Sequence, residues 1–167
     1  MIRAVAAAVT GLMLSVPTAM AEDWSPLVTP AALTTLIEED EVVVLDIRGP
    51  GAYAEGHVEG AVNVPYNAWR GPDENPGALI TDEKLSLILS DAGVEPDVPV
   101  VITYAGQGTL DFGSAARVYW TLKSAGVQEI AILNGGVAAW SASGQKLSTE
   151  MGSNFPSDLT FSFAETW

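Results

Sequence analysis

Two unbroken runs of β-branched and aliphatic residues constrain this chain most: Val42-Val43-Val44-Leu45 and Val100-Val101-Ile102-Thr103-Tyr104. Neither alternates apolar with polar side chains, so both faces of each strand must be covered. That pattern belongs to the inside of a parallel sheet, whose strands are joined by long helical crossovers. Helical segments lie between the runs. Ala31 to Glu39 follows Thr29 as N-cap and Pro30 at the first position, a favourable helix start. Thr81 precedes Asp82 and Glu83, and Leu85, Ile88, Leu89 and Ala92 recur at helical spacing until Gly93. Ser114 is read as the cap of a third helix. Its Ala115, Val118, Tyr119 and Leu122 share a face, and Gly126 ends it. Val62-Asn63-Val64 and Ile130 to Leu133 are short strand candidates, and the latter leads into Asn134-Gly135-Gly136 and a helix ending near Gly144. The expected fold class is therefore α/β, a parallel sheet with helices on both faces.

Between and after these elements the pattern weakens. Trp69 to Ala78 contains Gly-Pro and Asn-Pro and reads as an irregular surface insertion, with Trp69 and Arg70 either facing a partner domain or simply exposed. Residues 145–158 are polar and turn-rich, and Leu159, Phe161 and Phe163 then alternate with Thr160 and Ser162 like the opening of another strand. So aromatic a tail either docks on the domain or begins a further one. The start of the chain reads as an address. Arg3 precedes an uncharged apolar run from Ala4 to Val16, and Ala19-Met20-Ala21 forms a small-x-small cleavage site. The run falls short of the ~20 residues a spanning helix needs. The expectation is a bacterial-type signal peptide over residues 1–21, a periplasmic or secreted destination, and no membrane attachment after cleavage.

Composition narrows the chemistry. Of 167 residues, 7 are basic, 21 acidic, one is His and none is Cys, for a net charge of −14. Such a chain repels the nucleic-acid backbone and has no basic patch to release counterions, so no nucleic-acid partner is expected. Without Cys there is no disulfide, thiolate zinc site, iron–sulfur cluster or thiol nucleophile. No metal and no cofactor is expected. The acidic run Glu38-Glu39-Asp40-Glu41 lacks the spacing of a calcium loop and reads as a solvated helix end.

The segment Asp46-Ile47-Arg48, Tyr53, and Gly56-His57-Val58-Glu59-Gly60-Ala61-Val62-Asn63-Val64-Pro65 resembles the first signature of the rhodanese family. Val100 to Tyr104, Ser114-Ala115, Gly126, Ile130 to Leu133, Gly135-Gly136, Trp140 and Gly144 resemble its second. The resemblance runs over about residues 26–144 and implies a five-stranded parallel sheet and a sulfurtransferase ancestry. It makes Asp46, Arg48, His57, Gly60, Gly135, Gly136 and Trp140 framework residues. Asp46 and Arg48 alternate about Ile47, so they point to one side and can pair. His57 reads as a framework residue that fixes a turn rather than as a general base.

Where active members of that family carry their catalytic Cys, directly after the strand, this chain has Ala105. The loop Ala105-Gly106-Gln107-Gly108-Thr109-Leu110-Asp111 then looks degenerate. It is longer than expected before Ser114, carries no Lys or Arg, and places the charge of Asp111 where a sulfur oxyanion would sit. Like charges at such range cost on the order of 1–4 kcal/mol. Ala115-Ala116-Arg117-Val118-Tyr119-Trp120 is similar to the first, non-catalytic domain of tandem thiosulfate and 3-mercaptopyruvate sulfurtransferases. The leading expectation is thus a domain spanning residues 22–144 that has no activity by itself and whose partner is a second rhodanese domain. Residues 145–167 would be a linker or that domain's start. The alternatives are a stand-alone periplasmic binding module, or an enzyme using an oxygen nucleophile from Thr109, Asp111 or Ser114, for which no base is placed by motif.

Overall fold

The computed structural model describes residues 24–152 and 156–164. The candidate signal peptide therefore lies outside the described residues, as do Asn154 and Trp167. Five parallel strands form one sheet: β1 Leu27–Val28, β2 Val43–Asp46, β3 Val62–Asn63, β4 Val100–Thr103 and β5 Ile130–Leu133, in the order β1-β5-β4-β2-β3. Every residue of β2, β4 and β5 is buried, which is why their sequence shows no polar alternation. The pleat nonetheless sorts side chains by face. Val43, Leu45, Val100, Ile102, Ile130 and Ile132 meet α3 (Asp82–Asp91) and α4 (Thr109–Ser124) through Leu85, Leu89, Val118 and Leu122. Val44, Val101, Ala131 and Leu133 meet α1 (Pro30–Glu38), α2 (Pro50–Glu55) and α5 (Gly136–Ala142) through Leu33, Tyr53 and Trp140.

Local sequence explains several boundaries. The Thr29 and Thr81 side chains accept from the amides of Ala32 and Lys84, each 3.2 Å away, satisfying donors a helix start leaves open. The two-residue β1 carries no readable pattern and exists through its register on β5, Leu27 with Ile132 and Val28 with Leu133.

Two expectations are corrected. Trp69 is neither exposed nor turned to a partner. A short 3-10 turn, Tyr66–Trp69, folds it inward to 1% exposure, and its indole N–H donates to the Val64 carbonyl at 3.1 Å. Its large apolar surface outweighs the irregular backbone around it. The Leu159 to Phe163 stretch forms no strand, although its apolar residues alternate.

The stretch instead runs along α3 as a strap. Phe161 is 3% exposed and belongs to the core beside α3 and α4. The Ser86 hydroxyl donates to the Phe161 carbonyl and accepts from its amide, both at 2.8 Å. One turn on, the Ser90 hydroxyl donates to the Ser157 carbonyl, and the Ser157 amide donates to the Ser90 carbonyl. The Ala164 amide reaches the Ser124 carbonyl at 3.1 Å. Phe161→Ala should therefore destabilise the domain by about 3 kcal/mol, the scale of a lost core aromatic ring, read as a lower urea midpoint at unchanged slope.

Candidate functional site

The site is assembled where β2 and β4 end side by side, the place where open α/β sheets present their clefts. Asp46, the last residue of β2, is fully buried. Its carboxylate accepts from the Arg48 amide at 2.9 Å and from the Arg48 guanidinium at 2.5–3.0 Å. This is the one ion pair among the described residues. The guanidinium also donates to the Gly56 carbonyl at 2.8 Å, tying down the end of α2. Asn63 on β3 donates from its side-chain amide to the carbonyls of Asp46 and Arg48, each at 2.9 Å. Arg48 thus commits its Nε and Nη2 donors to structure. Asn63 was not singled out from sequence, although its register opposite Asp46 follows from pairing the two short strands.

On the other wall, β4 delivers Ala105 to the cleft floor. The Ala105 carbonyl accepts from the Ala138 amide at 3.1 Å, and the Tyr104 carbonyl accepts from the Val137 amide at 2.8 Å. These bonds need close backbone approach. A Cβ on Gly106 would run into the Gly135 carbonyl oxygen, and one on Gly136 into the Tyr104 carbonyl oxygen. Both glycines also have positive φ, +81° and +61°, a region other residues rarely enter.

The loop is shorter than the sequence reading expected. Helix α4 starts at Thr109 with Gly108 before it, so only Ala105 to Gly108 remain irregular. Ser114 is no cap. It sits inside α4, and its hydroxyl faces the Leu110 carbonyl at 3.4 Å. The physical reason is Asp111, the third helical residue. Its carboxylate reaches back to the amides of Gly106 and Gln107 at 2.7 and 3.0 Å, stabilising a helix start that has no side-chain cap.

Above this floor lies an open cavity of about 360 Å³ lined by Arg48, Tyr66, Ala105, Gln107, Asp111 and Ser114 among others. A neighbouring lobe shares Arg48, Ala105 and Gln107. The structure thus brings together Arg48, Ala105, Gln107 and Asp111. Tyr66 was missed because nothing in its local sequence marks it. Thr109 and Leu110 start α4 exposed, with Leu110 at 90%.

His57 stands apart from the cavity. It is fully buried, stacks on Tyr53 with ring centroids 3.7 Å apart, and its two ring nitrogens lie 2.8 Å from the Tyr53 and Glu150 carbonyls. Both ring nitrogens are thus engaged by backbone carbonyls. Its backbone pairs with Ser148, so it clamps the segment after α5 and has no free nitrogen to serve as a base. Gly60 lies in the turn behind it, with φ +74°. Trp140 is buried on the same side of the sheet and donates to the Lys146 carbonyl at 3.0 Å.

The rhodanese-like domain family matches residues 29–143, and the chain belongs to it. The sequence is 33% identical over 155 residues to a putative thiosulfate sulfurtransferase of Synechococcus elongatus, covering 88% of this chain and 48% of that one. It is 32% identical over 126 residues to the thiosulfate sulfurtransferase of Azotobacter vinelandii, covering 75% and 45% respectively. The chain thus spans about half the length of these curated relatives. In fold it resembles the crystal structure of a 3-mercaptopyruvate sulfotransferase from Escherichia coli. That likeness has a TM-score of 0.70 at 23% identity and covers 84% of this chain and 56% of that one. The five-stranded parallel sheet is the fold of this family.

Two outcomes are expected at the site. Arg48→Ala leaves the Asp46 carboxylate buried without its counter-charge and should cost about 3–5 kcal/mol of stability in chemical denaturation. Tyr104, just before Ala105, has its phenol held above the ordinary value of 10.0. Burial is the larger cause and the Asp111 charge the second, while a hydrogen bond with the Gly135 backbone opposes them. The folded state therefore holds this proton more tightly than the unfolded chain. Its contribution is complete below about pH 10 and is lost as pH rises through the folded value. Asp111→Asn should lower the pH at which tyrosinate absorbance of Tyr104 appears, with Tyr104→Phe as the control that removes the signal.

Proposed function

We propose that this chain is the cysteine-less, non-catalytic domain of a secreted sulfurtransferase, and that its partner is a second rhodanese-like domain carrying the sulfur. That partner lies in the same reading frame or on a separate chain. The observation that carries the reading is Ala105. It lines the cleft two residues past the end of β4, where a methyl group can neither ionise nor carry a persulfide, and the sequence has no Cys to replace it. The surrounding frame supports a structural role. Arg48 is committed to Asp46 and the Gly56 carbonyl, Asp111 to the loop amides and His57 to two carbonyls.

An oxygen nucleophile finds no support in this geometry. The Ser114 hydroxyl faces a carbonyl of its own helix, and the sole His has both ring nitrogens occupied. The relatives named as thiosulfate sulfurtransferases, about half of whose length this chain matches, support a second domain as the missing component. The Arg3 to Ala21 segment supports export to the periplasm.

The purified chain should show no sulfur transfer from thiosulfate to cyanide above the buffer rate, and activity should appear only when a domain with a Cys loop is supplied. Turnover by the chain alone would overturn the proposal.

A further inference from the structure

Gly106 and Gln107 present consecutive backbone N–H groups to a single oxygen, Asp111 Oδ2, at 2.7 and 3.0 Å. Successive amides converging on one point form a concavity that favours negative charge. The same oxygen lies in the first turn of the sixteen-residue α4, whose unpaired amides add partial positive charge. In this chain the negative group in that concavity is one of its own side chains, four and five residues further on.

The rest of the cleft offers an external anion little in exchange. Among the described residues Arg48 is the only cationic side chain lining either lobe of the cavity, and its Nε and Nη2 donors are taken by Asp46 and the Gly56 carbonyl. An entering oxyanion would meet the Asp111 carboxylate, while the Arg48 charge is already paired with Asp46. It would also have to displace two charge-assisted hydrogen bonds that are already short and intramolecular.

We propose that Asp111 is a built-in anion: its carboxylate plugs the amide concavity of the Ala105 loop, and this autoinhibitory contact keeps small oxyanions out of the cleft. The loop retains a backbone shape able to receive such a group, and the chain fills it. This inference concerns the loop itself and holds whether or not a second domain completes the protein.

Inorganic sulfate is the probe, applied to the full chain and followed through the backbone amide resonances of Gly106 and Gln107. In Asp111→Ala both amides are uncovered, and sulfate should shift them with an affinity at least about tenfold above that of the unaltered chain. Asp111→Asn separates occupancy from charge. Its side-chain oxygen can still accept both N–H groups, so sulfate should remain excluded. The proposal fails if folded Asp111→Ala binds sulfate no better than the unaltered chain, or if the Asn variant binds as the Ala variant does. Hydrogen exchange in the unaltered chain gives a readout that needs no variant. The two amides should exchange more slowly than in an unstructured peptide of the same sequence, and exchange at the peptide's rate would also overturn the proposal.

Discussion

The buried carboxylate of Asp46 organises one end of this sheet. A charge with no exposed surface must be met on every side. Here Arg48 meets it with a backbone amide and with its guanidinium. The demand propagates outward. To reach Asp46, the chain must turn back within two residues of β2, which sets the direction of the segment leading into α2. The same guanidinium then holds the Gly56 carbonyl, and Asn63 fastens β3 to the backbone of the same turn. One wall of the cleft is therefore a consequence of satisfying a single carboxylate.

The opposite wall follows a similar logic with a different donor set. Backbone amides of α5 cap the carbonyls of Tyr104 and Ala105, and Asp111 caps the amides that follow. Two carboxylates, Asp46 at the end of β2 and Asp111 in the first turn of α4, are each consumed by neighbouring donors. The cleft between them keeps the shape of a binding site while its strongest polar groups face inward to the scaffold. Shape and chemistry are thus separable in this fold, as they are in folds that host many functions.

How much of this was legible in sequence depends on how local its cause is. The strands β2 and β4 were readable to within one residue, because double burial leaves an uninterrupted apolar run at Val43–Asp46 and Val100–Thr103. The caps at Thr29 and Thr81 were readable because their partners lie three residues away. The alternation of Asp46 and Arg48 about Ile47 was enough to anticipate their pairing. The start of α4 was misplaced by six residues, since Ser114 offers a common cap while the Asp111 contact runs backward past the helix start. Trp69 was misjudged because Gly and Pro after it suggest a surface loop, and only the tertiary structure shows the Val64 carbonyl waiting for its indole. His57 was read as a framework residue that fixes a turn, and its partner Glu150 stands 93 positions away, beyond any local pattern.

The strap has a further consequence, for the order of events during synthesis. Ser86 and Phe161 are separated by 75 residues, and Phe161 lies in the core beside α3 and α4. Contacts this distant close slowly, because loop entropy must be met before they contribute. The first strand likewise waits for β5 to give it a neighbour. A growing chain therefore cannot seal its interior until the segment around Phe161 has emerged. Until then the apolar faces of α3 and α4 stay partly open, and the newly made domain remains pliable.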